Sequence, residues 1–178
     1  IVAMILLMAF DAKQNKPAVF LNDSERFLGI TGPLSMLPQL LGCLGGVFTA
    51  AGVGDVIAQL VEKIVPKGNV NIGIIVYAIG MVLFTMIMGN GFAAFSVITV
   101  GIGIPFLIAQ GADPAVVGAL GLTAGYCGTL MTPMAANFNI LPAAVLETKN
   151  KYTVILSQLP MALFMLAIHI VLMYFLAF

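Results

Sequence analysis

Charge is what this sequence has least of. Asp, Glu, Lys and Arg make up 8% of its 178 residues, against roughly 25% in an ordinary globular domain. Seven acidic and seven basic side chains cannot give a soluble protein of this size a polar shell, so water is excluded as the main solvent of its surface. With a formal net charge of zero and no basic stripe, the electrostatic footprint of a nucleic-acid-binding protein is missing. Cysteine is nearly as scarce. Cys43 and Cys127 each sit among Gly and Leu in apolar stretches, which rules out a zinc-ligand spacing or a disulfide scaffold and leaves them as expected packing residues. His169 is the single histidine. An intramembrane enzyme would have to draw on Asp55, Cys43, Cys127 and His169, and no spacing gathers them, so no enzymatic role is expected.

What is present in their place is apolar. Hydrophobic residues make up 61% of the chain and its mean hydropathy is +1.13. The charges are segregated: one group runs from Asp11 to Arg26, a second comprises Glu62, Lys63 and Lys67, and a third Glu147, Lys149 and Lys151, with Asp55 and Asp113 apart. Long apolar runs between short charged groups define an all-α integral membrane protein, a polytopic helical bundle.

The runs divide as follows. Residues 1–10 are about half the length of a span and lack a signal-peptide pattern, so they are expected to be a transmembrane helix cut short, with sequence missing before Ile1. Residues 11–32 read as a cytoplasmic loop. Residues 33–54, dense in glycine and alanine, read as a transmembrane helix packed inside a bundle. Residues 55–66 place Val56, Ile57, Leu60, Val61 and Ile64 on one face and Gln59, Glu62 and Lys63 on another, the pattern of an amphipathic helix on the membrane surface. Residues 70–110 are interrupted by Gly89-Asn90-Gly91 and read as a helical hairpin. Residues 115–146 are interrupted around Thr132-Pro133 and read as a broken transmembrane helix, because Pro133 lacks an amide hydrogen and clashes with the preceding turn. Residues 153–178 are long enough to cross, with Pro160 inside. Lysine and arginine placement puts 11–32 and 147–152 on the cytoplasmic side and the mouth of the hairpin on the other.

The two interruptions matter most. Backbone breaks at membrane depth persist only where protein or a water-filled cavity satisfies the freed groups, and paired broken helices point to a transporter's binding site. Polar side chains gather at both: Thr85, Asn90, Ser96 and Thr99 at the first, Thr129, Thr132, Asn137 and Asn139 at the second. Plainer readings stand beside these. Hairpin arms of about 19 residues would also be long enough to cross fully, at ~1.5 Å per residue, and the second interruption would also suit a proline-kinked helix. Asp55 would serve either as a cavity carboxylate or as the N-cap of the amphipathic run. His169 would be either functional or packed and neutral.

Three elements carry a resemblance. The run from Gly42 to Asp55 resembles the glycine-rich helix that leads into the hairpin of the gluconate-permease and dicarboxylate carriers of the ion transporter superfamily. Gly89-Asn90-Gly91-Phe92-Ala93-Ala94-Phe95 stands where those carriers have the hairpin tip, and Thr132-Pro133 through Asn137 where they have the helix break. More narrowly, the tip and the run from Gly125 to Pro133 look like a bacterial membrane family of unknown function whose members carry the name 5-oxoproline transporter subunit. The resemblance implies a re-entrant hairpin and half of an inverted-repeat transporter in the bacterial cytoplasmic (inner) membrane. The other half would come from a missing N-terminal part or a companion membrane subunit, and a homo-oligomer stays open. It further implies a secondary active transporter subunit for a small carboxylate such as 5-oxoproline, with substrate contacts from Asn90, Gly91 and Ala93 at the tip and Thr132, Pro133 and Asn137 at the break. No cofactor is implied. Na⁺ or H⁺ coupling stays open and no metal ligand is assigned, because Gly89 and Gly91 replace the hydroxyl residues that flank the tip asparagine in those carriers. The alternative is a non-transporting accessory subunit that stabilises a partner permease.

Overall fold

The computed structural model describes residues 5, 9–10, 17–63 and 69–178. Among these, every regular element is helical. The expected first helix, 1–10, and residues 64–66 of the expected surface helix fall largely or wholly outside the described residues.

Helix α1, Pro17–Ala50, is continuous for 34 residues. This corrects the reading of 11–32 as a loop: from Pro17 onward that segment is helix. Polarity reports the solvent around a segment and says little about its backbone; here the polar half simply extends the helix beyond the apolar one. At ~1.5 Å per residue α1 is about 51 Å long, well beyond a hydrocarbon core of ~30 Å. It stops at a left-handed Gly52 (φ 70°), which also precedes α2, Val53–Glu62. Asp55 therefore lies in the first turn of α2, not at its cap, and its carboxylate makes no capping hydrogen bond.

Helix α3, Val70–Met88, opens on Asn69, whose side chain accepts from the Ile72 amide. It closes on Gly89 (φ 69°), whose N–H donates to the Thr85 carbonyl. One residue later the chain re-enters helix as α4, Gly91–Ile98. The second arm continues through a π-helical stretch, Thr99–Gly103, and a last turn, Ile104–Phe106. The arms pack antiparallel: Gly73 lies against Phe106 and Leu107, and Gly80 against Ile98 and Ile102. Tyr77, fully buried, reaches across to Thr99 with 3.0 Å between their hydroxyls, filling the wider turn that the π geometry opens.

Helix α5, Pro114–Met131, has a strong start signal, with Asp113 accepting from the Ala115 and Val116 amides and Pro114 in the first turn. It lies parallel to α3 through glycines: Gly121 faces Tyr77, Gly125 faces Met81 and Thr85, and Gly128 faces the backbone of Val82. Small residues at such a seam let backbones approach closely. After a break come a π-helical turn, Ala136–Ile140, and α6, Leu141–Val145. The last helix, α7, Thr153–Leu176, runs back along α5 with Pro160 inside it, and the Asp113 amide donates to the Ala177 carbonyl at the shared end.

Four segments among the described residues are long and apolar enough to cross a membrane: Val70–Met88, Gly91–Gln110, Pro114–Met131 and Thr153–Leu176. Their outer faces carry Ile75, Ile79, Leu83, Leu163, Phe164 and Phe175 exposed, a surface suited to lipid. Helix α2 is the part of the expected surface helix, 55–66, that falls within the described residues, and it keeps Val56 and Leu60 exposed. It lies across the middle of the second arm, with Gly54 against Val97 and Gly101. At the opposite end of the bundle from Asp113, Arg26 pairs with Glu147 at 2.6 Å, which brings the first and third charged groups together.

Candidate functional site

The break after α5 follows from Pro133. A residue before proline is disfavoured in helical conformation, and Thr132 is extended (φ −122°, ψ 138°). Leaving the helix exposes carbonyls that would ordinarily be bonded, and Asn139 answers this. Its Nδ2 donates to the Thr129 carbonyl at 2.7 Å and to the Thr132 carbonyl at 2.6 Å. Asn139 is fully buried, and its Oδ1 has no hydrogen-bond partner among the described residues. The Thr132 hydroxyl donates to the Met86 carbonyl at 2.8 Å and accepts from the Met134 amide. The break is thus stitched to α3 just below the hairpin tip.

The tip is shaped to meet it. Gly89 sits so close to the Met134 backbone that a Cβ there would overlap it, so glycine is required both by its left-handed φ and by this contact. Asn90 is the N-cap of α4, its Oδ1 accepting from Phe92 at 2.9 Å and Ala93 at 3.3 Å. Gly91 rests near Gly125 and Tyr126.

Between tip and break is a cavity of about 220 Å³, lined by Gly89, Asn90, Gly91, Phe92, Tyr126, Thr129, Asn137 and Phe138. Phe92 and Tyr126 meet edge to face across it, with centroids 6.0 Å apart. The α4 N-terminus faces this space, and the positive end of a helix dipole favours an anion. Of the six residues the sequence singled out, Asn90, Gly91 and Asn137 line the cavity. The other three do not: Ala93 is buried within α4 packing, Thr132 is buried with its hydroxyl on α3, and Pro133 is exposed beside the break. Sequence reasoning passed over Phe92, Tyr126, Thr129 and Phe138 as contacts. Tyr126 and Thr129 lie three apart on one face of α5, a helical spacing that was available once the break was fixed.

His169 is buried with its Nδ1 2.6 Å from the Met165 carbonyl one turn earlier, a contact within its own helix and remote from the cavity. Cys127 is buried as expected for a packing residue, whereas Cys43 is exposed: it lies on α1, whose flank is bare along much of its length. Among the described residues no three His, Cys, Asp or Glu side chains converge as a metal site.

Four membrane-length apolar helical segments around a tip-and-break junction, among the described residues, are compatible with a multi-pass membrane protein. Over residues 1–178 the chain matches the family described as "Protein of unknown function (DUF979)", and it belongs to that family. No curated protein and no solved structure matches it.

Proposed function

We propose that the protein is a subunit of a secondary active transporter for a small organic anion, a monocarboxylate of the size of 5-oxoproline, with the tip-and-break cavity as its binding site. The observation that carries this reading is the convergence of two interrupted helices on one space of about 220 Å³ to which Asn90, Tyr126, Thr129 and Asn137 bring polar side chains. Helix α3 rises about 28 Å and α7 about 36 Å, and they share one end, where Asn71 and Ile74 meet Ile170 and Tyr174; in a hydrocarbon core of ~30 Å the tip therefore comes toward the far side. A carboxylate there would be met by the α4 N-terminus, the Asn90 and Asn137 amides and the Thr129 hydroxyl, with Phe92, Tyr126 and Phe138 as the apolar part of the lining. No Lys or Arg lines the cavity, which suits one negative charge better than three. Asn137 and Phe138 are exposed, leaving one wall for a second repeat or companion subunit. By the lysine and arginine rule, the Arg26, Lys149 and Lys151 end is cytoplasmic.

Asn90→Asp tests the assignment without confounding it with folding. Aspartate is as good an N-cap as asparagine, so the variant should unfold at the wild-type temperature. A second negative charge beside the carboxylate should nevertheless reduce uptake into proteoliposomes by about 100-fold or more, as ~3 kcal/mol of like-charge repulsion would do. Wild-type uptake by the folded variant, across a panel of small carboxylates, would remove the cavity as the substrate site.

A further inference from the structure

Another cavity that joins polar side chains from separate helices lies one level below the first. It is small, about 30 Å³, and is lined by Thr49, Gly52, Gly54, Asp55, Ser96, Val97 and Val100. That is room for one or two particles the size of a water molecule, and too little for an organic anion. Ser96 is six residues beyond Asn90, so it lies about 9 Å further along the same helix.

We infer that this cavity is a monovalent cation site, suited to Na⁺, built from the Asp55 carboxylate and the hydroxyls of Thr49 and Ser96. The donor set is all oxygen, as a hard cation requires. The Thr49 hydroxyl points to Ser96 Oγ at 3.4 Å, and Ser96 in turn donates to the Ala93 carbonyl at 3.0 Å. Both hydroxyl protons are directed at oxygen atoms, so lone pairs are what these groups offer to the space between them. Helix α1 ends here and α2 begins here, so the two helix dipoles offset each other and the net attraction for a cation comes from the carboxylate.

Asp55 supplies the net charge, and its position needs explaining. Gly54 is pressed against Val97 and Gly101, inside the membrane-length span Gly91–Gln110, which sets Asp55, exposed on α2, beside an apolar span and away from its ends. An ionisable group so placed calls for a partner. Among the described residues Asp55 has neither a hydrogen bond nor an ion pair to its carboxylate, and its Oδ2 folds back towards the left-handed Gly52 at the cavity edge. A single carboxylate balances one positive charge, which is why a monovalent ion fits and a divalent one is left half-compensated.

Cation binding stands on this geometry alone; its role as the coupling ion rests on the carrier reading. The purified protein in detergent should show an unfolding temperature that rises saturably with NaCl and stays flat when choline chloride replaces it at equal ionic strength. Asp55→Asn should abolish the rise, and Ser96→Ala should require about tenfold more Na⁺ for half the effect, the loss of one ligand. Asn90→Asp, at the other cavity, should keep the full response. Equal stabilisation by choline, or an undiminished Na⁺ response in Asp55→Asn, overturns the site. Should Asp55→Asn fail to fold, an unchanged half-saturating concentration in Ser96→Ala overturns it equally. Loss of uptake in Asn90→Asp together with a Na⁺ response that ignores Asp55 leaves the carrier and rejects only the cation site.

Discussion

Asn137 and Asn139 stand two residues apart in one π-helical turn and do opposite jobs. Asn137 lines the cavity, while Asn139 is sealed beneath it and spends both amide hydrogens on the carbonyls of Thr129 and Thr132. Removing Asn139 leaves two buried acceptors without donors, at about 1–3 kcal/mol each. Asn139→Ala should therefore lower the unfolding temperature clearly. Asn139→Asp should be worse still, since it turns carboxylate oxygens on the same carbonyls; equal stability of the two variants would mean that the clasp carries little weight. The local sequence pattern did not say which asparagine faces inward; only the resemblance singled out Asn137. Both flank the break, and only the wider π turn, with its i to i+5 spacing, decides between them. The N-cap role of Asn90 and the capping of α5 by Asp113 follow rules of local chemistry, and those were readable from spacing alone. Asp55 shows where such rules mislead: it looks like a cap, but Gly52, by turning left-handed, takes the cap position and leaves the carboxylate beside Ser96.

At the level of elements, the junction depends on how closely α5 approaches α3. A Cβ at Gly128 would lie 2.5 Å from the Val82 carbonyl oxygen and 3.1 Å from Thr85 Cβ, so Gly128→Ala must push the helices apart just below the break. Overpacking of this kind costs about 1–3 kcal/mol. At Gly118 the same substitution would meet only Phe95 at 3.7 Å, an ordinary contact, and should be neutral in thermal unfolding. Comparable losses at both positions would mean that the seam is looser than described. The hairpin and the break were visible beforehand because Gly89, Gly91 and Pro133 act on the backbone within a residue or two. The extension of α1 back to Pro17, and the seating of α2 on the middle of the hairpin, were not visible. Both involve contacts with distant segments, Arg26 with Glu147, 121 residues on, and Gly54 with Val97 and Gly101, and amphipathic periodicity cannot tell a helix on a lipid surface from one laid across a protein face.

The molecule as a whole is asymmetric from end to end. One end gathers Arg26, Glu147, Lys149 and Lys151; the other holds Asp113 and the mouth of the hairpin. The tip and the break meet between them, toward the charged end, with Asn137 at the exposed side of the cavity. If this space is solvated and binds carboxylates, a single cysteine at position 137, in a protein with Cys43 and Cys127 replaced by serine, should react with a membrane-impermeant maleimide from one side of the membrane only. A transported carboxylate should slow that reaction severalfold, while leaving a cysteine placed at Lys149 unaffected. Labelling at 137 that is absent from both sides, or that proceeds at the same rate with and without every carboxylate tested, would contradict a binding cavity between the hairpin and the broken helix.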